Sequence, residues 1–225
     1  MRRLSLQSSS LLVMILTLAP TLAIAQGQID FVDGEVWIES GGERTRADFG
    51  SQVETGDFVI TGNDGVAVVS VNAGTQIKLR ENSRVEIAPG GNSEAVGLRS
   101  GGLFARVNRA VERTTRFEVQ TPTLVAGVRG TEFFVAFGRT IEDLPDVWLC
   151  VNEGAVEVAV PRSGSTTLVE AGEGINVLSG TRATDPRFYP WTTRLNWNFD
   201  PEAGEVRDTT DLDAAYSDLL DQDYD

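Results

Sequence analysis

From Gln28 to Gly180 the chain is valine-rich, and its apolar and polar residues alternate between glycine-containing breaks that recur about every eight to twelve residues. Alternation of period two puts successive side chains on opposite faces of extended backbone, and no helical period of 3.6 competes with it. The pattern predicts strands over residues 28–38, 58–60, 65–71, 76–79, 84–88, 102–107, 116–120, 131–137, 147–151, 155–160, 166–169 and 174–178. Between them lie Asp33-Gly34, Ser40-Gly41-Gly42, Gly62-Asn63-Asp64-Gly65, Asn72-Ala73-Gly74, Pro89-Gly90-Gly91-Asn92 and Ser163-Gly164, residue types that tolerate the positive φ of tight turns. The fold expected is all-β, either a two-layer β-sandwich or a short β-helix-like roll, with a mostly irregular C-terminal extension.

Two internal echoes support stacked, related layers. Asp33-Gly34-Glu35-Val36-Trp37-Ile38 resembles Glu153-Gly154-Ala155-Val156-Glu157-Val158, and Val53-Glu54-Thr55-Gly56-Asp57 resembles Val169-Glu170-Ala171-Gly172-Glu173. Either the two halves share a layout, or the same turn chemistry is reused.

The ends of the chain depart from this pattern. Residues 1–25 combine Arg2 and Arg3, an apolar stretch from Leu11 to Leu18, and Ala23-Ile24-Ala25 before Gln26, which together read as a cleaved secretory signal peptide. A retained anchor is the alternative. No later stretch reaches 18 apolar residues, so no membrane span is expected in the mature chain, and the protein is placed in the periplasm or cell envelope. Residues 26–180 form the β-domain. Residues 181–199 carry Phe188, Tyr189, Trp191, Trp197 and Phe199 and are expected to pack on that domain, because exposed aromatics at this density are an apolar liability. Residues 200–225 hold ten acidic residues and one arginine. This tail is expected to stay solvated and disordered, although Leu212, Tyr216, Leu219 and Leu220 could line one face of a short helix.

Composition narrows the chemistry. The chain has no histidine, one cysteine and a formal net charge of −14, and Lys78 is its only lysine. Imidazole catalysis, His-ligated metals, Cys-cluster metal sites and an intramolecular disulfide are therefore excluded. An acidic balance repels phosphate backbones, so no nucleic-acid partner is expected. Asp30, Asp33, Glu35, Asp57 and Asp64 could in principle furnish a carboxylate pair, but acidic turns are ordinary in an acidic β-protein and point to no enzyme. Asn63-Asp64-Gly65 lacks the ligand spacing of a calcium loop, so neither metal nor cofactor is expected. Cys150 is read as an inert core thiol, and Trp37 and Trp148 as core residues, with sugar stacking the alternative for the two tryptophans.

The densest information lies in Thr121-Pro122-Thr123-Leu124-Val125-Ala126-Gly127-Val128-Arg129-Gly130-Thr131-Glu132-Phe133. A strand should stop at Pro122, which lacks a ladder amide. Gly127 and Gly130 then permit a tight corner, in which Arg129 could clamp backbone carbonyls or the Glu132 carboxylate. The strand should resume at Thr131, with Phe133, Val135 and Phe137 on one face and Glu132, Phe134 and Ala136 on the other.

A strand ending in Thr-Pro, followed by Ala-Gly-Val-Arg-Gly-Thr-Glu-Phe, resembles the signature of the FecR domain, the periplasmic module of regulators that relay transporter occupancy to a sigma factor. The resemblance covers roughly residues 30–180 and also rests on Gly56-Asp57, Val59, Thr61-Gly62, Ala67, Gly74, Ile77, Leu79, Asn82-Ser83 and Gly101-Gly102-Leu103-Phe104. It implies a non-enzymatic binding or signalling module whose partner is another envelope protein, with Thr121, Pro122, Ala126, Gly127, Val128, Arg129, Gly130, Thr131, Glu132 and Phe133 as the family motif and candidate partner contact. Transmembrane regulators of this kind carry a cytoplasmic anti-sigma region and a membrane helix, in place of which this chain has an export signal; the sigma-factor role is not carried over. A carbohydrate- or peptidoglycan-binding protein, with cell-wall polysaccharide as partner, and a structural envelope protein are the alternatives. Mass spectrometry of the exported protein should give a mature chain beginning at Gln26; a full-length chain in the envelope fraction would establish the anchor instead.

Overall fold

The computed structural model describes residues 27–72, 74–88, 94–108, 116–140 and 145–221. The expected export signal, Ala73 and the 89–92 turn lie outside these residues. The strands are β1 (Gly27–Asp33), β2 (Val36–Ser40), β3 (Glu43–Arg46), β4 (Gln52–Val53), β5 (Phe58–Thr61), β6 (Val66–Asn72), β7 (Thr75–Leu79), β8 (Arg84–Ala88), β9 (Glu94–Val107), β10 (Phe117–Gln120), β11 (Val125–Val128), β12 (Glu132–Thr140), β13 (Pro145–Glu153), β14 (Ala155–Val160), β15 (Ser165–Glu170), β16 (Glu173–Leu178), β17 (Arg182–Ala183) and β18 (Arg187–Phe188). A 3-10 turn at Pro190–Thr193 and helix α1 (Leu212–Asp221) follow.

All eighteen strands belong to one hydrogen-bonded network that β9 folds into two layers. The first sheet runs β3-β2-β5-β8-β9-β10-β11-β14-β15. The second runs β4-β1-β6-β7-β9-β12-β13-β16, with β17 and β18 both on β16. Among these pairings β9 with β10 is parallel and the rest antiparallel. The main core lies between the layers, where Val36, Val59, Val85, Val96, Val119 and Val156 from the first sheet meet Ile29, Val69, Leu103, Phe133, Leu149 and Ile175 from the second.

One strand can serve both sheets only if its inward face changes parity along the way. In β9, Val96 and Leu98 point into the core at even positions, whereas Leu103 and Ala105 do so at odd ones. The switch occurs at Gly101, with φ of 85°, beside a register shift against β8 between Arg84 and Val85. An extra residue of this kind reverses which side chains face inward.

The two echoes prove different in kind. Asp33–Gly34 and Glu153–Gly154 both carry the chain from the second sheet to the first, β1 to β2 and β13 to β14, through glycines at φ of 69° and 79°. The second echo joins the sheets in opposite directions, β4 to β5 and β15 to β16, so it shares only its turn glycine. Trp37 departs from its expected place: it is half-buried on the outer face of the first sheet, with the Arg44 guanidinium 5.9 Å from its ring centre, because Val36 and Ile38 take the inward positions of β2.

The second sheet is apolar on its outer face as well. Directly paired residues Val68, Lys78, Phe104, Phe134, Cys150 and Gly174 form one row across β6, β7, β9, β12, β13 and β16. Tyr189, Leu195, Phe199, Val206, Tyr216 and Leu219 cover that row and its surroundings. Residues 189–221 are thus a strap that closes a third layer, which corrects the expectation of a solvated tail from residue 200. At ten residues α1 is shorter than the roughly 12–15 that an isolated helix needs, so burial of Ala215, Tyr216 and Leu219 holds it. Among the described residues no helix is long and apolar enough to cross a membrane.

A Cβ at Gly101 would meet the Ser83 side chain and stand 2.7 Å from the Asn82 carbonyl oxygen, on a backbone already at positive φ. Gly101→Ala should destabilise the fold by about 2–4 kcal/mol, lowering Tm by roughly 5–15 °C. An unchanged melting temperature in circular dichroism would show that β9 can cross between sheets without this kink.

Candidate interaction site

The motif forms the junction of three strands. β10 ends before Pro122, and Thr121 closes the turn: its amide donates to the Leu124 carbonyl at 2.8 Å, and its Oγ1 accepts from the amides of Thr123 and Leu124 at 3.2 and 2.9 Å. The corner expected immediately after it is instead strand β11, because Val125–Val128 pairs with β10 on one side and β14 on the other. Gly127 leaves the outer face open to Arg116, which lies across it and donates to Glu157 at 2.5 Å; a Cβ there would push that exposed, flexible side chain aside. The turn proper is Arg129-Gly130, with Gly130 at φ of 64°. Thr131 then anchors the return: its backbone exchanges hydrogen bonds with Val107 at 2.9 and 3.1 Å, and its Oγ1 donates to the Ala155 carbonyl at 3.1 Å.

Glu132 is buried and fully engaged, but not by Arg129. Its carboxylate accepts from Arg106 Nε at 2.7 Å and Asn152 Nδ2 at 2.6 Å. The expected Arg129 clamp is therefore absent: Arg129 lies at the tip of the turn, whereas Arg106 occupies the residue directly opposite Glu132 on β9. Arg129 is exposed and makes no side-chain hydrogen bond or ion pair among the described residues. Of the ten motif residues, Pro122 and Arg129 are exposed, while Thr121, Ala126, Gly127, Val128, Gly130, Thr131, Glu132 and Phe133 are buried. Phe133, Val135 and Phe137 enter the main core, and Phe134 and Ala136 the outer cluster.

Basic residues on the second sheet tie the strap to the motif. Lys78 Nζ donates to the carbonyls of Asn196 and Asn198 at 2.5 and 2.7 Å and sits 4.3 Å from the Phe104 ring centre and 5.3 Å from that of Phe199. Burial pulls its pKa down to about 8. Arg106, already bonded to Glu132, also donates to the Trp197 carbonyl at 2.9 Å and stacks over Phe199. Arg80 pairs with Glu81 at 2.8 Å and approaches Asp208 at 3.3 Å without hydrogen-bond alignment, leaving Arg80 Nη1 and Asp208 Oδ2 unmatched. The Asp208 Oδ1 atom accepts from the Asn196 amide and the Thr210 hydroxyl, each at 2.8 Å. On α1, Tyr216 donates to Asp146 at 2.5 Å, and burial together with that bond pushes its phenol up. Sequence reasoning missed these positions, although a lone lysine inside the apolar run Gln76–Leu79 was a signal.

The remaining candidates have structural roles. Asp30 accepts from Ser70 and Gln76, Asp33 from Arg207, and Asp64 from the Glu35 amide; Asp57 accepts from the Glu54 amide. Glu35 is exposed, and no cluster of metal-ligating residues occurs among the described residues. Cys150 lies fully buried beneath the strap, where desolvation pushes its thiol up to about 12. A cavity of about 310 Å³ opens between α1 and the β9 kink, lined by Arg80, Gly101, Phe137, Trp148, Leu212 and Tyr216 among others.

Residues 57–157, which span β5 to β14 and include the motif, match the family described as FecR protein. This stretch is similar to the FecR domain. Two solved chains, each described as a candidate anti-sigma factor from Parabacteroides distasonis ATCC 8503, resemble the fold at 19% identity. One match covers 58% of this chain and 59% of the other at a TM-score of 0.49, and the second covers 57% of each at 0.48. The chain thus spans less than two thirds of the length of either. No curated protein matches the sequence. The matched residues supply β12 and most of the second sheet, while the strap that covers it lies outside them.

Lys78→Met leaves the Asn196 and Asn198 carbonyls unpaired and should cost about 1–3 kcal/mol for each. Because the folded amine titrates below its unfolded value of about 10.4, its contribution is present above that value and is lost as pH falls through about 8. Urea melts should therefore show the stability difference shifting towards wild type as pH rises from roughly 7 to 10; a difference flat with pH would mean that the amine titrates as if solvated.

Proposed function

We propose that this chain is a non-enzymatic regulatory binding module of the cell envelope, acting through protein–protein contacts made at the FecR motif. The observation that carries this reading is the division of labour inside the motif. Its acidic group is tied to Arg106 and Asn152, its threonines brace the two turns, and its apolar residues fill the core. Arg129 alone presents an unengaged guanidinium to solvent, on a rigid turn set by Gly130. Its planar fork can meet a carboxylate with two parallel hydrogen bonds, which suits recognition of an acidic group on a partner. The carboxylates of Asp30, Asp33, Asp57 and Asp64 hold turns and neighbouring side chains, which also favours binding over chemistry.

A photo-crosslinking residue placed at Arg129, in cells producing the full chain, should yield one discrete protein adduct that is absent when the same residue replaces Arg44 on the β3 edge. A reader of cell-wall polysaccharide would give no adduct and would sediment with purified sacculi; that result would sink the protein-contact reading.

A further inference from the structure

Four sheet edges end the two layers, and three are blunted. β3 is Glu-Arg-Thr-Arg with every residue exposed, β4 is two residues long, and β16 is flanked by the two-residue strands β17 and β18. Charged side chains and very short strands are the usual means by which edges are kept from pairing. β15 has neither. It runs six residues, Ser-Thr-Thr-Leu-Val-Glu, pairs among the described residues with β14 alone, and carries no proline, lysine or inward-pointing charge. Its Leu168 is 55% exposed, one of the few large apolar side chains so placed. Only at its end is the edge closed, where the Glu173 carboxylate accepts the Glu170 amide at 2.7 Å.

We infer that β15 is a docking edge for an extended segment of a partner protein, which adds to the first sheet as a further strand with a basic residue at the Glu170 end. This rests on the protein-contact reading above and names the surface and the partner's form. Three acidic residues, Glu153, Glu170 and Glu173, gather at that end, while Arg162 lies beyond the other, so the charge gradient along the edge selects a segment that is basic where it meets Glu170. Main-chain bonds to the unpaired edge would supply affinity, and an apolar residue beside Leu168 the register. The edge is also continuous with the motif. Val128, Val156 and Val169 are directly paired across β11, β14 and β15, which sets the Arg129 turn two strands from the docking edge, roughly 10 Å at the usual strand spacing.

The probe is a labelled ten-residue peptide, Lys-Arg-Thr-Val-Thr-Val-Thr-Val-Ser-Ser, and its counterpart with proline replacing the central threonine, which keeps the charge and forbids strand pairing. By fluorescence anisotropy with the full chain, the first should bind at least tenfold tighter. Leu168→Pro and Leu168→Lys should each weaken it at least tenfold with the melting temperature monitored, and Thr45→Pro on β3 should leave it unchanged. Equal binding of both peptides, or equal loss in the β3 variant, overturns the proposal. So does concentration-dependent dimerisation that Leu168→Lys abolishes in the absence of peptide binding, since a second copy would then be the occupant. An adduct at Arg129 without peptide binding leaves the protein-contact function standing and removes this edge from it.

Discussion

The structure depends on one constraint: the second sheet is apolar on both faces and must be covered twice. Its inward side chains meet the first sheet, and its outward row, from Val68 through Phe104 and Phe134 to Cys150, has no second sheet to meet. Water on that row would leave aromatic surface exposed along several strands. The strap answers this with Tyr189, Phe199, Tyr216 and Leu219. The aromatic rings form a chain of tilted and edge-on contacts from Trp197 through Phe104, Phe134 and Trp148 to Tyr189, at centroid separations of 4.6 to 5.8 Å.

The cations that hold the strap, Lys78 and Arg80 buried and Arg106 exposed, follow from the same constraint. Irregular backbone laid on a sheet brings carbonyl groups that no ladder satisfies, and each would be costly if buried alone. Lys78, Arg80 and Arg106 project from the sheet and donate to the carbonyls of Asn196, Asn198, Thr210 and Trp197. Arg106 joins this function to the motif through Glu132, so the residues that match the FecR family and the segment outside them share a side-chain network. Arg129 lies three residues from Glu132 and four from Phe133.

Most of the strands were legible in the sequence because they alternate or run continuously apolar between turn residues; Arg84–Ala88 and Ala155–Val160 have the bounds that the pattern predicts. β3, all exposed and without an apolar face, left no periodic trace, and neither did the two-residue strands. β11 escaped because Ala-Gly-Val has low strand preference; its two neighbours, not its composition, make it a strand. The motif's burial was legible in its small and apolar residues, but the partner of Glu132 was not, since pairing across β9 and β12 joins residues 26 positions apart.

By itself the sequence determined the all-β class, the order of most strands, the inward face of β12 and the FecR-like motif, because these rest on local period and turn chemistry. Tertiary structure decided where the acidic tail goes. Its stripe of Leu212, Tyr216 and Leu219 is too short to fold alone, and the docking surface it needs exists only once β6, β7, β9, β12 and β13 have paired. It likewise decided that Arg129 is free and Arg106 is not, since register across a sheet chooses which guanidinium faces a given carboxylate.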